Sequence, residues 1–116
     1  MSVPSSSPSP RVLPPAVYEL KKRLVERFGS HLVRFMVFGS YARGGHTPDS
    51  DIDVLVTLAG EVNPHTPLEI WDIALDLDLE FDVVFDVHVF SEHEIQNTLV
   101  GATPLIEAML SEGIPI

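Results

Sequence analysis

The chain contains no cysteine, which excludes a disulfide framework and any thiolate-ligated metal site. It also lacks cationic residues where most of its acid lies. All seven Lys and Arg fall at or before Arg43, while residues 44–116 carry fifteen Asp and Glu with no Lys or Arg. A net charge of −10 distributed in this way argues against a free DNA or RNA substrate, because such binding needs cationic neutralisation of phosphates. The same surface attracts divalent cations and basic protein partners. No apolar run approaches the ~20 residues that a membrane-spanning helix needs. No charged start followed by an apolar core marks a signal peptide. These absences point to a cytoplasmic chain, and its 116 residues suit one domain with one core, small for an enzyme with its own substrate domain.

What is present divides into a tail and a domain. Residues 1–15 hold five Ser and five Pro and bury too little to order themselves, so they read as a disordered or polyproline-like tail. The domain is residues 16–116. A first helix is expected over 16–28, with Val17, Leu20, Leu24 and Phe28 at helical spacing and Gly29 as its stop. Lys21, Lys22, Arg23 and Arg27 decorate it as a solvated face. Leu32–Phe38 reads as a strand that is apolar on both faces except at Arg34, which implies helices on both sides of a sheet.

The stretch Phe38–Val56, FGSYARGGHTPDSDIDVLV, carries the chemistry. The apolar run stops at Gly39-Ser40, and ten residues later Asp51-x-Asp53 opens a second apolar run ending near Leu58. Alternate strand residues share a face, so the two carboxylates project together about 6–7 Å apart at ~3.3 Å per residue. Two hard oxygen donors at that spacing suit Mg²⁺, which takes carboxylates, water and substrate phosphates. Gly39 permits a sharp turn or a close backbone approach, and Ser40 offers a hydroxyl and an N–H where phosphate can sit. Each half of this pattern is common alone, as a turn or a solvated strand face; their order and spacing make it specific. His46 and His65 lie in loops at no metal-ligand spacing and read as surface residues.

The order strand, Gly39-Ser40, ten residues, Asp51-x-Asp53, strand resembles the nucleotidyltransferase signature of the polymerase-β-like superfamily. Ala42-Arg43-Gly44 and Ser50-Asp51 narrow the resemblance to the minimal nucleotidyltransferases, small prokaryotic proteins often encoded beside a HEPN-domain partner. The resemblance spans roughly residues 16–116. It implies an α/β fold with a mixed three-stranded β-sheet flanked by helices. It further implies that Gly39 and Ser40 bind the triphosphate of a nucleotide, ATP, and that Asp51 and Asp53 hold Mg²⁺, as two ions. Arg43 has two open roles, pairing with an acid or phosphate and a purely structural one.

Residues 66–82 admit two readings. Leu75–Val83 alternates strictly between apolar and acidic residues, as a strand would; Thr66–Glu80 also works as a helix, with Thr66-Pro67 at its start. The family places a helix here. On that helix Leu68, Trp71, Leu75 and Leu79 share one face, Ile70, Ile73, Ala74 and Leu77 the opposite one, and Glu69, Asp72, Asp76 and Glu80 form an acidic stripe. A second apolar face implies either a partner or a helix sandwiched inside the fold. A third strand is expected over 81–90. The family carries its third acid there, which makes Asp86 the candidate and Asp82 the alternative, with His88 on the same face. Ser91-x-x-Glu94 is a capping box opening a short helix, and Thr103-Pro104 opens another with Leu105, Ile106, Met109 and Leu110 as buried positions. The family's function would be transfer of AMP from ATP to a protein hydroxyl, a tyrosine of a HEPN toxin, with the chain as antitoxin. The alternatives are an antitoxin that acts by binding alone and, more remotely, a small-molecule transferase. A homo- or hetero-oligomer is compatible with either of the first two.

Overall fold

The computed structural model describes residues 13–45, 47 and 49–116. Twelve of the fifteen tail residues, together with His46, lie outside that set. Of the remainder, Leu13 is buried in the core and Pro15 opens the first helix. The elements are α1 (Pro15–Phe28), β1 (Leu32–Phe38), α2 (Ser40–Arg43), β2 (Ile52–Leu58), α3 (Thr66–Phe81), β3 (Phe85–Ser91), α4 (Glu92–Asn97), α5 (Pro104–Glu112) and β4 (Ile114–Pro115). Among the described residues no helix is long and apolar enough to cross a membrane.

The mixed α/β architecture is as expected, with one strand more. The sheet order is β3-β2-β1-β4, with β1 antiparallel to β2 and β4 and β2 parallel to β3. The parallel pair requires a crossover, which α3 provides. The added strand β4 is two residues long and pairs Ile114 and Pro115 with Val37 and Met36.

Strand alternation divides the core in two. Phe35, Val37, Ile52, Val54 and Val56 pack with Leu20 and Leu24 of α1 and Ile70, Ala74 and Leu77 of α3. Met36 and Leu55, on the other face, pack with Ile95, Ile106 and Met109. Burial of this kind contributes roughly 25 cal/mol per Å² of apolar surface. Arg34, the polar residue in an apolar strand, is explained by Glu92: their side chains meet at 3.0 Å and tie β1 to the start of α4. Ser91 and Glu94 complete the capping box in both directions. In α5, Ile106 and Met109 are buried as expected, but Leu105 is exposed.

Two boundaries differ from expectation. The second strand starts at Ile52, so Asp51 stands one residue before it. The third starts at Phe85, because α3 runs through Phe81 and closes on Asp82 in the left-handed conformation, φ +54°. The alternation over 75–83 is therefore helical up to that cap. Ile70, Ala74 and Leu77 face the core, whereas Leu68, Trp71, Leu75 and Leu79 are 47–79 % exposed, so the helix is not sandwiched among the described residues. The basic side of α1 meets the acidic stripe of α3, Arg27 with Glu69 and Arg23 with Glu80 at 3.5 Å. Pairs this exposed add little to stability, because solvent screens them.

The strand β3 lies at the sheet edge, and α3 caps it with side chains. The Asp78 carboxylate accepts the Phe85 N–H at 2.9 Å, and the Trp71 indole N–H donates to the Val87 carbonyl at 2.9 Å.

Candidate active site

The site forms where β1 ends and β2 and β3 begin. Pairing of β1 with β2 sets Phe38 opposite Asp53, and the parallel register of β2 with β3 sets Asp53 beside Asp86. Two acids far apart in sequence thus become direct cross-strand neighbours on the sheet face that α4 and α5 cover elsewhere. Asp82, the alternative, is an exposed helix cap ahead of the strand. Geometry brings Asp86, and not Asp82, alongside Asp53.

Gly39 is the hinge of this arrangement. It adopts φ 72°, ψ −146°, a region that residues with a Cβ essentially do not occupy. A Cβ there would collide with Asp53 Oδ2. The backbone turn after β1 therefore lies against the Asp53 carboxylate, and the signature's first and last functional positions touch. Ser40 begins α2, a single turn ending at Arg43, which is exposed.

Electrostatics single out Asp53. Burial raises its pKa above the ordinary carboxylate value; the Asp86 charge raises it further, His88 opposes, and Asp51 and a hydrogen bond with Asp86 add to the rise. A like charge held beside it disfavours the ionised form of Asp53, and a cation relieves that cost. His88 was expected on this face and is there: its Nε2 lies 3.4 Å from Asp86 Oδ2, and its ring packs 5.5 Å, centroid to centroid, from that of Phe38. Asp78 also has a raised pKa, from burial first, opposed by the Phe85 N–H and reinforced by Asp51. Its contact with the β3 edge had no signal in the sequence beyond an acid on a helix.

The donor set fits a hard divalent ion. Among the described residues no three acid or imidazole side chains are gathered tightly enough to hold a metal alone. Mg²⁺ characteristically uses one or two carboxylates and completes its shell with water and substrate phosphates, and Asp53 and Asp86 with Asp51 nearby match that habit.

The nucleotidyltransferase domain matches residues 17–109, and the chain belongs to that family. Within it, a solved structure described as "Structure of putative minimal nucleotidyltransferase" is 32% identical, with a TM-score of 0.53, covering 86% of this chain and 95% of that one. The "Putative protein adenylyltransferase MJ0604" of Methanocaldococcus jannaschii is 34% identical over 77 residues, 66% of this chain and 72% of that protein. A toxin–antitoxin structure with AMP-PNP shares the fold at 21% identity and a TM-score of 0.58, covering 84% of this chain and 69% of that one. So does the complex of a tri-AMPylated HEPN toxin from Shewanella oneidensis with an MNT antitoxin, at 21% identity and a TM-score of 0.50, covering 86% of this chain and 67% of that one.

Proposed function

We propose that the chain transfers AMP from ATP to a protein hydroxyl, a tyrosine of a HEPN-domain toxin, and acts as its antitoxin. The observation that carries this reading is the in-register pair Asp53–Asp86 with the Gly39 backbone against Asp53. The similarity to a protein named as an adenylyltransferase and the shared fold with toxin–antitoxin structures support it. Asp51, Asp53 and Asp86 would hold Mg²⁺, which neutralises phosphate charge and stabilises the leaving oxygen. Gly39 and Ser40 orient the triphosphate, because only a residue without a Cβ lets the chain pass so close to Asp53. The acceptor oxygen forms its bond to the α-phosphorus as the bond to the bridging oxygen breaks, and pyrophosphate leaves. Asp86 is the more exposed of the paired acids; its carboxylate takes the hydroxyl proton, with His88 within reach to pass it to solvent. Cytoplasmic residence and avoidance of free nucleic acid belong to the same reading, since the acidic surface repels phosphates.

Thermal melts and intact-mass spectrometry with the neighbouring HEPN-domain protein test it. MgATP should raise the melting temperature, Asp51→Asn with Asp53→Asn should abolish the rise, and the HEPN protein should gain AMP units only with MgATP and wild-type chain. A stable complex without added mass would replace transfer by neutralisation through binding. Absence of both a complex and a mass gain would remove the antitoxin role.

A further inference from the structure

Leu68, Trp71, Leu75 and Leu79 run along α3 at spacings of three and four residues, each 47–79 % exposed. Single exposed apolar residues are ordinary on a surface, but a continuous stripe marks an interaction site. Beside it, between α3 and the β3 edge, lies a groove of about 380 Å³ lined by Trp71, Asp72, Leu75, Asp78, Phe85 and Asp86. Trp71 and Leu75 belong to both features, and Asp86 stands beside Asp53. The groove beside the stripe thus reaches the β3 edge at Asp86, whose strand neighbour is Asp53.

Charge selects the occupant. Asp72, Asp76 and Asp82 are exposed around the stripe, Asp78 lines the groove, and residues 44–116 contain no Lys or Arg. The two nearby cations, Arg23 and Arg27, already pair with Glu80 and Glu69. A second copy on this face would set these acids against their own counterparts, since a two-fold interface repeats one patch. A helix with an apolar side and basic flanks meets no such conflict.

We propose that the outer face of α3 docks a basic amphipathic helix of the acceptor protein, and that the adjoining groove leads the acceptor hydroxyl to Asp86. This rests on the transfer reading and adds where the acceptor sits. Trp71 is the chain's one tryptophan, so its emission reports occupation of this face. The probe is a Trp-free helical peptide of about 18 residues, leucines at i, i+3, i+4 and i+7 with Lys and Arg on its flanks, in the helix-in-groove pattern. A counterpart with Glu on its flanks is the control. The basic peptide should shift Trp71 emission to the blue saturably and compete with the HEPN protein for AMP transfer; the acidic one should do neither. Leu68→Lys with Leu79→Lys, both outside the groove, should weaken peptide binding at least tenfold while the melting-temperature rise with MgATP stays. No blue shift with the basic peptide, equal binding by the variant, or binding without competition would each overturn the proposal. A blue shift that grows with protein concentration alone would give the face to a second copy and overturn it too. Peptide binding with no AMP transfer to any HEPN protein would instead count against the transfer reading, leaving the docking face in place.

Discussion

Alternate residues of the same strands meet two different environments. On the side of α1 and α3, Val37, Ile52, Val54 and Val56 are buried under Leu20, Leu24, Ile70 and Leu77 from end to end. On the other side, Ile95, Ile106 and Met109 pack on Met36 and Leu55, with Phe38 and Phe90 partly buried against them, and the end carrying Asp53, Asp86 and His88 is left partly open. Asp53 is flanked in sequence by Ile52 and Val54, both fully packed. The closed face therefore fixes the backbone that aims the acids, and the half-covered face gives them access to a ligand. The candidate site is placed on rigid strands whose stability comes from the opposite surface.

The sharpest way to break that division is Asp53→Asn. It should slow AMP transfer on the order of 10³-fold, about 4 kcal/mol of transition-state stabilisation, without lowering the melting temperature. Asp86→Asn should also cripple transfer, whereas Asp82→Asn should leave it unchanged, since Asn tolerates the left-handed cap. Intact-mass time courses decide, and an unimpaired Asp53→Asn would dissociate the open face from the chemistry. On the closed face, Leu77→Ala should cost about 2–5 kcal/mol, while exposed Leu79→Ala should stay within about 0.5 kcal/mol. Urea unfolding separates them, and equal losses would mean α3 is packed differently from what its burial indicates.

Gly39→Ala joins both regions. Its backbone conformation should cost about 1–3 kcal/mol, and the collision with Asp53 should also abolish the melting-temperature rise with MgATP. A variant that retains the rise would show that the turn does not abut the nucleotide. The smallest effect concerns pH. Asp53 and Asp78 both have folded pKa values raised above their unfolded ones, so the folded state binds more protons in that window. Without metal, their contribution to stability is present below the ordinary carboxylate range and is lost as pH rises through the raised values. Solvent screening holds it below about 1 kcal/mol. Melting curves between pH 4 and 8 should show this trend, and Asp53→Asn should flatten it; a slope of the opposite sign would contradict the raised values.

Much of this was legible in the chain because Gly39-Ser40 and Asp51-x-Asp53 are local patterns bounded by apolar runs. The helical face of Val17, Leu20 and Leu24 was legible for the same reason. Leu75–Val83 was not, since alternating Leu and Asp satisfies a strand as well as a helix with two apolar faces; only the burial of Ile70, Ala74 and Leu77 separates them. The choice between Asp82 and Asp86 depended on where α3 stops, and the left-handed turn at Asp82 carries no glycine to announce it. β4 is too short for any periodicity. The pairing of Asp53 with Asp86 is a matter of register between distant strands, which no local pattern encodes.

The capped edge of β3 has a consequence for the protein in bulk. An edge strand with open N–H and C=O groups is a template on which another chain can add a strand. FDVHVFS is short of charge and rich in β-formers, the composition that favours such addition. Trp71 and Asp78 occupy the Val87 carbonyl and the Phe85 N–H. Two side chains of one helix thereby take two of the edge positions on which a strand from another copy would have to pair.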